Sequence, residues 1–250
     1  NRNIYSSVNR AIEIVDKISD DALLGLTVFY AITKFDPISG DINEGLNTLN
    51  NCFGEIIYNP LPPASSNEWI DNLDILDAIR VSSSTVKWLP IEDVYAQRLD
   101  GYVAVGIKQD SENYDKAIEI LNSFSLPTDK FLVKHTLRDG YCRIPIVSKI
   151  NLDRKKTNKV CKQFQEENIE LSESQIDALV NIFTLYDSNS DLMKNNISLF
   201  MEEWNKLPNL VIIKNWWNSM STVFRITSVG ESLAIAHCKR FNFNIVNINK

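Results

Sequence analysis

The segment Ala22 to Ile32 constrains this chain more than any other stretch. Between Asp20-Asp21 and Lys34 it carries Leu23, Leu24, Leu26, Val28, Phe29 and Ile32 on nearly every side, and a helix that is apolar all round has to be surrounded. Its eleven residues fall well short of the roughly 20 that span a bilayer. The pattern therefore predicts a core helix over 20–34 at the centre of the first half, with no membrane span. Ser19 caps it, followed by acids in the first turn.

Helical spacing recurs on both sides of this element. Ile4, Val8, Ala11, Ile12, Val15 and Ile18 precede it, and Ile42, Leu46, Leu49, Phe53 and Ile56 follow the turn Asp36-Pro37-Ile38-Ser39-Gly40. The prolines of Asn59 to Ser66 exclude a helix there, so the spacing predicts the next helix over Asn67 to Arg80, capped by Ser66. Pro90 starts a short helix that Asp100-Gly101 stops, Tyr102 to Ile107 reads as a strand or a buried helical turn, and Ser111 opens a further helix ended by Pro127. Phe131 to Leu137 and Tyr141 to Val147 flank Asp139-Gly140, the best hairpin signal in the chain. Three more helical stripes follow, through Ile176 to Phe183, Met193 to Trp204 and Leu210 to Met220, then a short strand over Val223 to Thr227 and a last helix capped by Ser228. The expected fold is mainly α: helical bundle halves with one β-hairpin at about 131–147 and a short C-terminal strand. A helical N-terminal half (1–125), a hairpin and basic connector (126–155) and a helical C-terminal half (156–250) are expected, whether docked tightly or independent.

Composition narrows the function classes. With 44% hydrophobic and 23% charged residues the chain is globular, and its net charge of −6 leaves nucleic-acid binding to a local patch. Cys52, Cys142, Cys161 and Cys238 are widely spaced and form no CxxC pair, which fits reduced thiols in the cytoplasm. The chain opens Asn1-Arg2-Asn3 without Met or a basic-plus-apolar leader, so it reads as a soluble fragment with upstream sequence missing.

Several clusters invite a chemical reading. Asp71, Asp74 and Asp77 are spaced by three, so on a continuous helix they climb one side and form a metal candidate, against the ordinary reading of a solvated face. With Asp139-Gly140 as a two-residue loop, His135 and Cys142 become diagonal neighbours on one hairpin face, a conceivable dyad without an evident oxyanion hole. His237, four residues after Leu233, reads as a packed core histidine beside Cys238. Asp187-Ser188-Asn189-Ser190-Asp191 opens like a calcium loop but has Leu192 where Gly is needed and Ser198 where Glu is needed, which rejects it. Arg154, Lys155, Lys156, Lys159 and Lys162 form the one basic run that could meet phosphates. Trp216 and Trp217 point about 100° apart on a helix. Trp217 follows the inner stripe, and Trp216 is expected at its edge as an interface anchor. No Walker, Rossmann, GxSxG or HExxH pattern occurs, no catalytic residue is assigned and no cofactor is expected.

Trp217-Asn218-Ser219-Met220-Ser221, Ile226-Thr227-Ser228-Val229-Gly230 and Leu233 to Arg240, with Ser19 to Thr27, Trp69 to Arg80 and Leu99-Asp100-Gly101-Tyr102 in the first half, resemble the blocks of an uncharacterised bacterial family known by locus tags. That family usually carries an N-terminal extension absent here, and His237 and Cys238 stand where it tends to have a small residue and Asn. The resemblance implies an accessory, sensor or scaffold role near phage-defence genes. Together these readings predict a non-catalytic interaction, sensor or assembly module of a bacterial defence or stress system, with a protein partner or a homo-oligomer. The alternatives are a metal-dependent nuclease or phosphodiesterase-like effector and a nucleic-acid-binding protein.

Overall fold

The computed structural model describes residues 2–82, 87–152 and 171–241. The chain is mainly helical, with two small antiparallel sheets. It divides into two compact units, neither of them a contiguous half. One comprises Asn1–Phe35, Leu49–Ile91 and Leu207–Lys250, the other Asp36–Thr48 and Glu92–Lys206. Residues 126–152, the described part of the connector expected at 126–155, fall inside the second unit.

The first unit is built on α1 (Arg2–Ile14), α2 (Asp20–Lys34) and the later turns of α3 (Ile42–Ile56). Ser19 caps α2 by accepting from the Ala22 N–H at 3.2 Å. Ala22 and every residue from Leu24 to Ile32 are buried, so α2 is the central element that its sequence requires. Phe29 anchors an aromatic cluster, with ring centroids 4.5 Å from Phe224, 5.2 Å from Trp88 and 5.3 Å from Trp217.

The helix expected over 67–80 is shorter. α4 (Glu68–Ile75) ends where Asp77 turns left-handed at φ 62°, and the chain continues into β1 (Ile79–Val81). β1 pairs antiparallel with the C-terminal strand, Ile79 opposite Ile226 and Val81 opposite Phe224. Thr227 rather than Ser228 caps the last helix by accepting from the Gly230 N–H at 3.2 Å. A Cβ at Gly230 would lie 2.0 Å from the Ala78 carbonyl oxygen, so only glycine lets helix and strand meet so closely.

The second unit holds the first turns of α3, then α5 (Ile91–Arg98), α6 (Asp100–Val103), β2 (Ile107–Lys108), α7 (Glu112–Ser123) and α8 (Thr128–Phe131). Tyr102 to Ile107 is thus helical turn first and strand after. β3 (Val133–Lys134) and β4 (Tyr141–Arg143) form the hairpin, and β2 extends it into the order β2-β4-β3. Lys134 lies opposite Cys142, so the loop is longer than Asp139-Gly140. Its turn is set by Arg138, whose guanidinium bonds Asn196 Oδ1 at 2.9 Å and the Leu192 carbonyl at 2.9 Å. α9 (Glu173–Phe183) and α10 (Ser190–Asn205) complete this unit. Its core joins Ile107, Leu121, Phe131, Ile144, Ile176 and Leu179.

The chain then returns to the first unit through α11 (Pro208–Asn218), β5 (Phe224–Ile226) and α12 (Ser228–Cys238). α12 packs against both α1 and α2. No described helix is long and apolar enough to cross a membrane.

Candidate functional site

α1 and the turn after it present two faces at helical spacing. Ser7, Ala11, Ile14 and Ile18, spaced four, three and four, are buried. Tyr5, Val8, Ile12 and Val15, spaced three, four and three, face outward, Tyr5 being 75% and Ile12 65% exposed. That second spacing is the heptad seam with which one helix meets another. Of the twelve large hydrophobic side chains exposed among the described residues, these four lie on α1 or directly after it, and no other helix carries more than one. The exposed surface is therefore a continuous patch and not the scatter normal on a protein surface. Val8, Ile12 and Val15 form one wall of a groove of about 430 Å³ whose other wall is Leu233, Ile235 and Ala236 of α12.

Beneath the groove, no activated group emerges. His237 sits between Thr27 Oγ1, 2.9 Å from Nδ1, and the Tyr58 hydroxyl, 3.4 Å from Nε2. Because the Thr27 hydroxyl donates to the Leu23 carbonyl at 2.7 Å, the imidazole Nδ1–H donates to Thr27 and Nε2 accepts from Tyr58. Burial holds its pKa below the usual histidine value, so it is neutral. Burial also pushes the Cys238 thiol up to about 12 and the Cys52 thiol higher still. These are packed hydrophobes rather than nucleophiles.

The hairpin dyad does not form. His135 is buried, and both ring nitrogens are held by backbone: Nε2 donates to the Ala104 carbonyl at 2.8 Å and Nδ1 accepts from the Leu137 N–H at 3.1 Å. Burial, its largest influence, depresses its pKa to about 4. Cys142 is buried too, and burial raises its thiol pKa. Next to it Arg143, also buried, donates from Nε, Nη1 and Nη2 to the carbonyls of Gly101, Gly40 and Ile146 at 3.0, 2.8 and 2.7 Å. This buried cation fastens three backbone segments and presents nothing to a ligand.

The second unit also has a surface cleft of about 320 Å³, lined by Asp100, Lys149, Phe183 and Tyr186 among others. The Phe183 and Tyr186 rings stack at 4.3 Å, and Lys149 Nζ lies 5.0 Å over Phe183. Asp100 Oδ1 accepts the Lys149 N–H at 2.8 Å, and the Tyr186 hydroxyl accepts the Ile144 N–H at 2.6 Å. Asp100 and Tyr186 are thus engaged with backbone N–H groups at the cleft.

The remaining sequence candidates are not assembled into a site. Asp77 lies beyond α4 and pairs with Arg80 at 2.8 Å, while Asp74 Oδ1 accepts the Val81 N–H at 3.3 Å. The left-handed Asp77 breaks the row with Asp71, and no group of three metal-ligating side chains occurs among the described residues. Arg154, Lys155, Lys156, Lys159 and Lys162 lie outside the described residues.

Trp216 requires correction. It is only 7% exposed, its ring lies 5.8 Å from that of Trp69, and its Nε1–H donates to the Pro62 carbonyl at 2.8 Å. The proline-rich loop covers it and supplies an acceptor that a buried indole needs. The exposed apolar side chains lie instead on α1 and directly after it, at Tyr5, Val8, Ile12 and Val15.

The model of a protein family named after a locus tag, itself uncharacterised, matches residues 2–250. The chain belongs to this family. No curated protein and no solved structure matches it.

Proposed function

We propose that this chain is a non-catalytic interaction module that works by binding protein through α1. The observation that carries this reading is the outward seam Tyr5, Val8, Ile12 and Val15 beside the α12 wall. An exposed apolar surface at heptad spacing offers a helix a place to bury its own apolar face. The titratable groups most suited to catalysis support the same reading, since His135, His237, Cys142 and Cys238 are buried and shifted away from reactivity. Buried thiols at Cys52, Cys142 and Cys238, without a disulfide among them, agree with a reducing cytoplasm. Placement in a bacterial defence or stress system rests on the family resemblance alone. Among the described residues the metal-dependent nuclease and nucleic-acid readings have no comparable surface behind them.

The test is affinity purification of tagged chain from its native host, in parallel with Ile12→Asp. A stoichiometric protein, or a second copy, recovered with the parent and lost with Ile12→Asp is the expected outcome. Equal recovery with both chains, or recovery of nucleic acid alone, contradicts the reading.

A further inference from the structure

The groove beside α1 closes where the described chain closes. On α12 its lining runs through Ser232, Leu233, Ile235 and Ala236 to Lys239, one helical face about 10 Å long. Lys239 opens the short turn Lys239–Phe241, and the Phe241 ring is held 5.3 Å from that of His237 and 5.6 Å from that of Tyr58. Residue 242 therefore sets out from the C-terminal end of α12, three residues after a side chain of the groove.

The stretch that follows matches the groove in composition. Residues 242–250 carry Phe243, Ile245, Val246 and Ile248 among four asparagines, with Lys250 the one charge and neither glycine nor proline. Segments that stay in water are poor in such side chains and rich in charge. In the lining only Ser232 and Lys239 are polar, so a neutral apolar stretch suits it. Reach is ample, because at about 3.3 Å per residue this stretch extends roughly 30 Å. Tethering decides among occupants. A segment joined by a few residues is presented at about millimolar effective concentration, which a second copy or a foreign protein at micromolar concentration does not match.

We propose that residues 242–250 dock in the α1–α12 groove of their own chain, where Phe243, Ile245, Val246 and Ile248 supply the side chains that cover Val8, Ile12 and Val15. The inference rests on the proposed function and adds its regulation. A protein that binds α1 has to displace the segment, and its apparent affinity falls by the fraction of grooves left open.

Disulfide trapping in the full chain tests it, in a Cys161→Ser background whose remaining thiols are buried. Ile12→Cys with Ile245→Cys, oxidised at low micromolar protein, should close within one chain at least about tenfold faster than Ile75→Cys with Ile245→Cys, although Ile75, at 80%, is the more exposed partner. Equal rates, or linkage between chains only, overturn the proposal. Amide exchange reads the same contact without cysteines. Ile245→Asp with Ile248→Asp should speed exchange of residues 8–15 at least about threefold and leave β4 unchanged, and exchange equal to the parent's overturns it. Affinity purification of this double variant separates the two readings. A stoichiometric protein that is lost on Ile12→Asp but recovered equally with the parent and the double variant overturns the docked segment and leaves the proposed function standing. Linkage at position 12 with no protein recovered from any variant sustains the docked segment and contradicts the proposed function alone.

Discussion

Both units pack aromatic rings, Tyr95, Phe200 and Trp204 among them in the second, but the second also buries a cation. The first packs Phe29 against Trp88, Trp217 and Phe224 and gives its indoles nearby carbonyls: Trp69 to Pro63, Trp88 to Thr222, Trp216 to Pro62 and Trp217 to Leu89. The second buries Arg143, His135 and Asn196 and aims their donors at backbone carbonyls. An aromatic core depends mainly on volume, whereas a polar interior depends on every donor keeping its acceptor. Substitutions that conserve size should therefore be tolerated in the aromatic cluster of the first unit and not at these polar positions of the second.

The largest expected effect is at Arg143. Arg143→Met keeps much of the volume but strands three carbonyls, at about 1–3 kcal/mol each, so we expect little folded protein in a denaturant titration. Arg143→Lys should not rescue it, because one ammonium cannot reproduce the guanidinium fork. A stable Arg143→Met protein would erase the contrast. Phe29→Ala should cost about 3–5 kcal/mol in the same titration, and Phe29→Leu much less. Equal losses would mean that the first unit, too, depends on specific geometry.

The pH dependence of stability sharpens the comparison. His135 has a folded pKa of about 4, below its ordinary value near 6.5. The unfolded chain therefore binds the proton first as pH falls. The stabilisation is complete above about pH 6.5 and is lost progressively down to pH 4, by about 3 kcal/mol. His135→Gln should flatten most of this slope, leaving the share of His237, which is shifted in the same direction. A parent equally stable at pH 7 and pH 4 would contradict it. The smallest effect is at Trp216, where Trp216→Phe keeps most of the ring and loses the bond to Pro62, for about 1 kcal/mol. Intact assembly in that variant would fit an indole that is covered rather than offered to a partner.

The same contrast explains what the sequence could disclose. The bounds of α2 and α3 and the caps at Ser19 and Ser111 follow from periodicity and first-turn chemistry, which are local. β1 does not, because Ile79 to Val81 leave the helical pattern only to meet Phe224 to Ile226, far along the chain. The hairpin arms were legible, while their register was not. Arg138 reaching α10 and the His135 ring accepting the Leu137 N–H hold a longer loop than Asp139-Gly140 suggests. Little local marks Arg143 as buried, since two of its three acceptors, Gly40 and Gly101, lie far along the chain. At the candidate site, the apolar residues of α1 were visible as one stripe. Its division into a buried and an exposed face depends on where α12 lies.

The central claim, that the outer face of α1 is a protein-binding surface, is tested most directly by amide hydrogen exchange of residues 5–15. Pairing must lower the population of frayed α1 from which those amides exchange. Exchange in this segment should slow as protein concentration rises or a co-purified partner is added, and should not slow in Ile12→Asp, while β4 exchanges equally in all samples. The same rate in residues 5–15 for parent and variant under every condition would contradict the account.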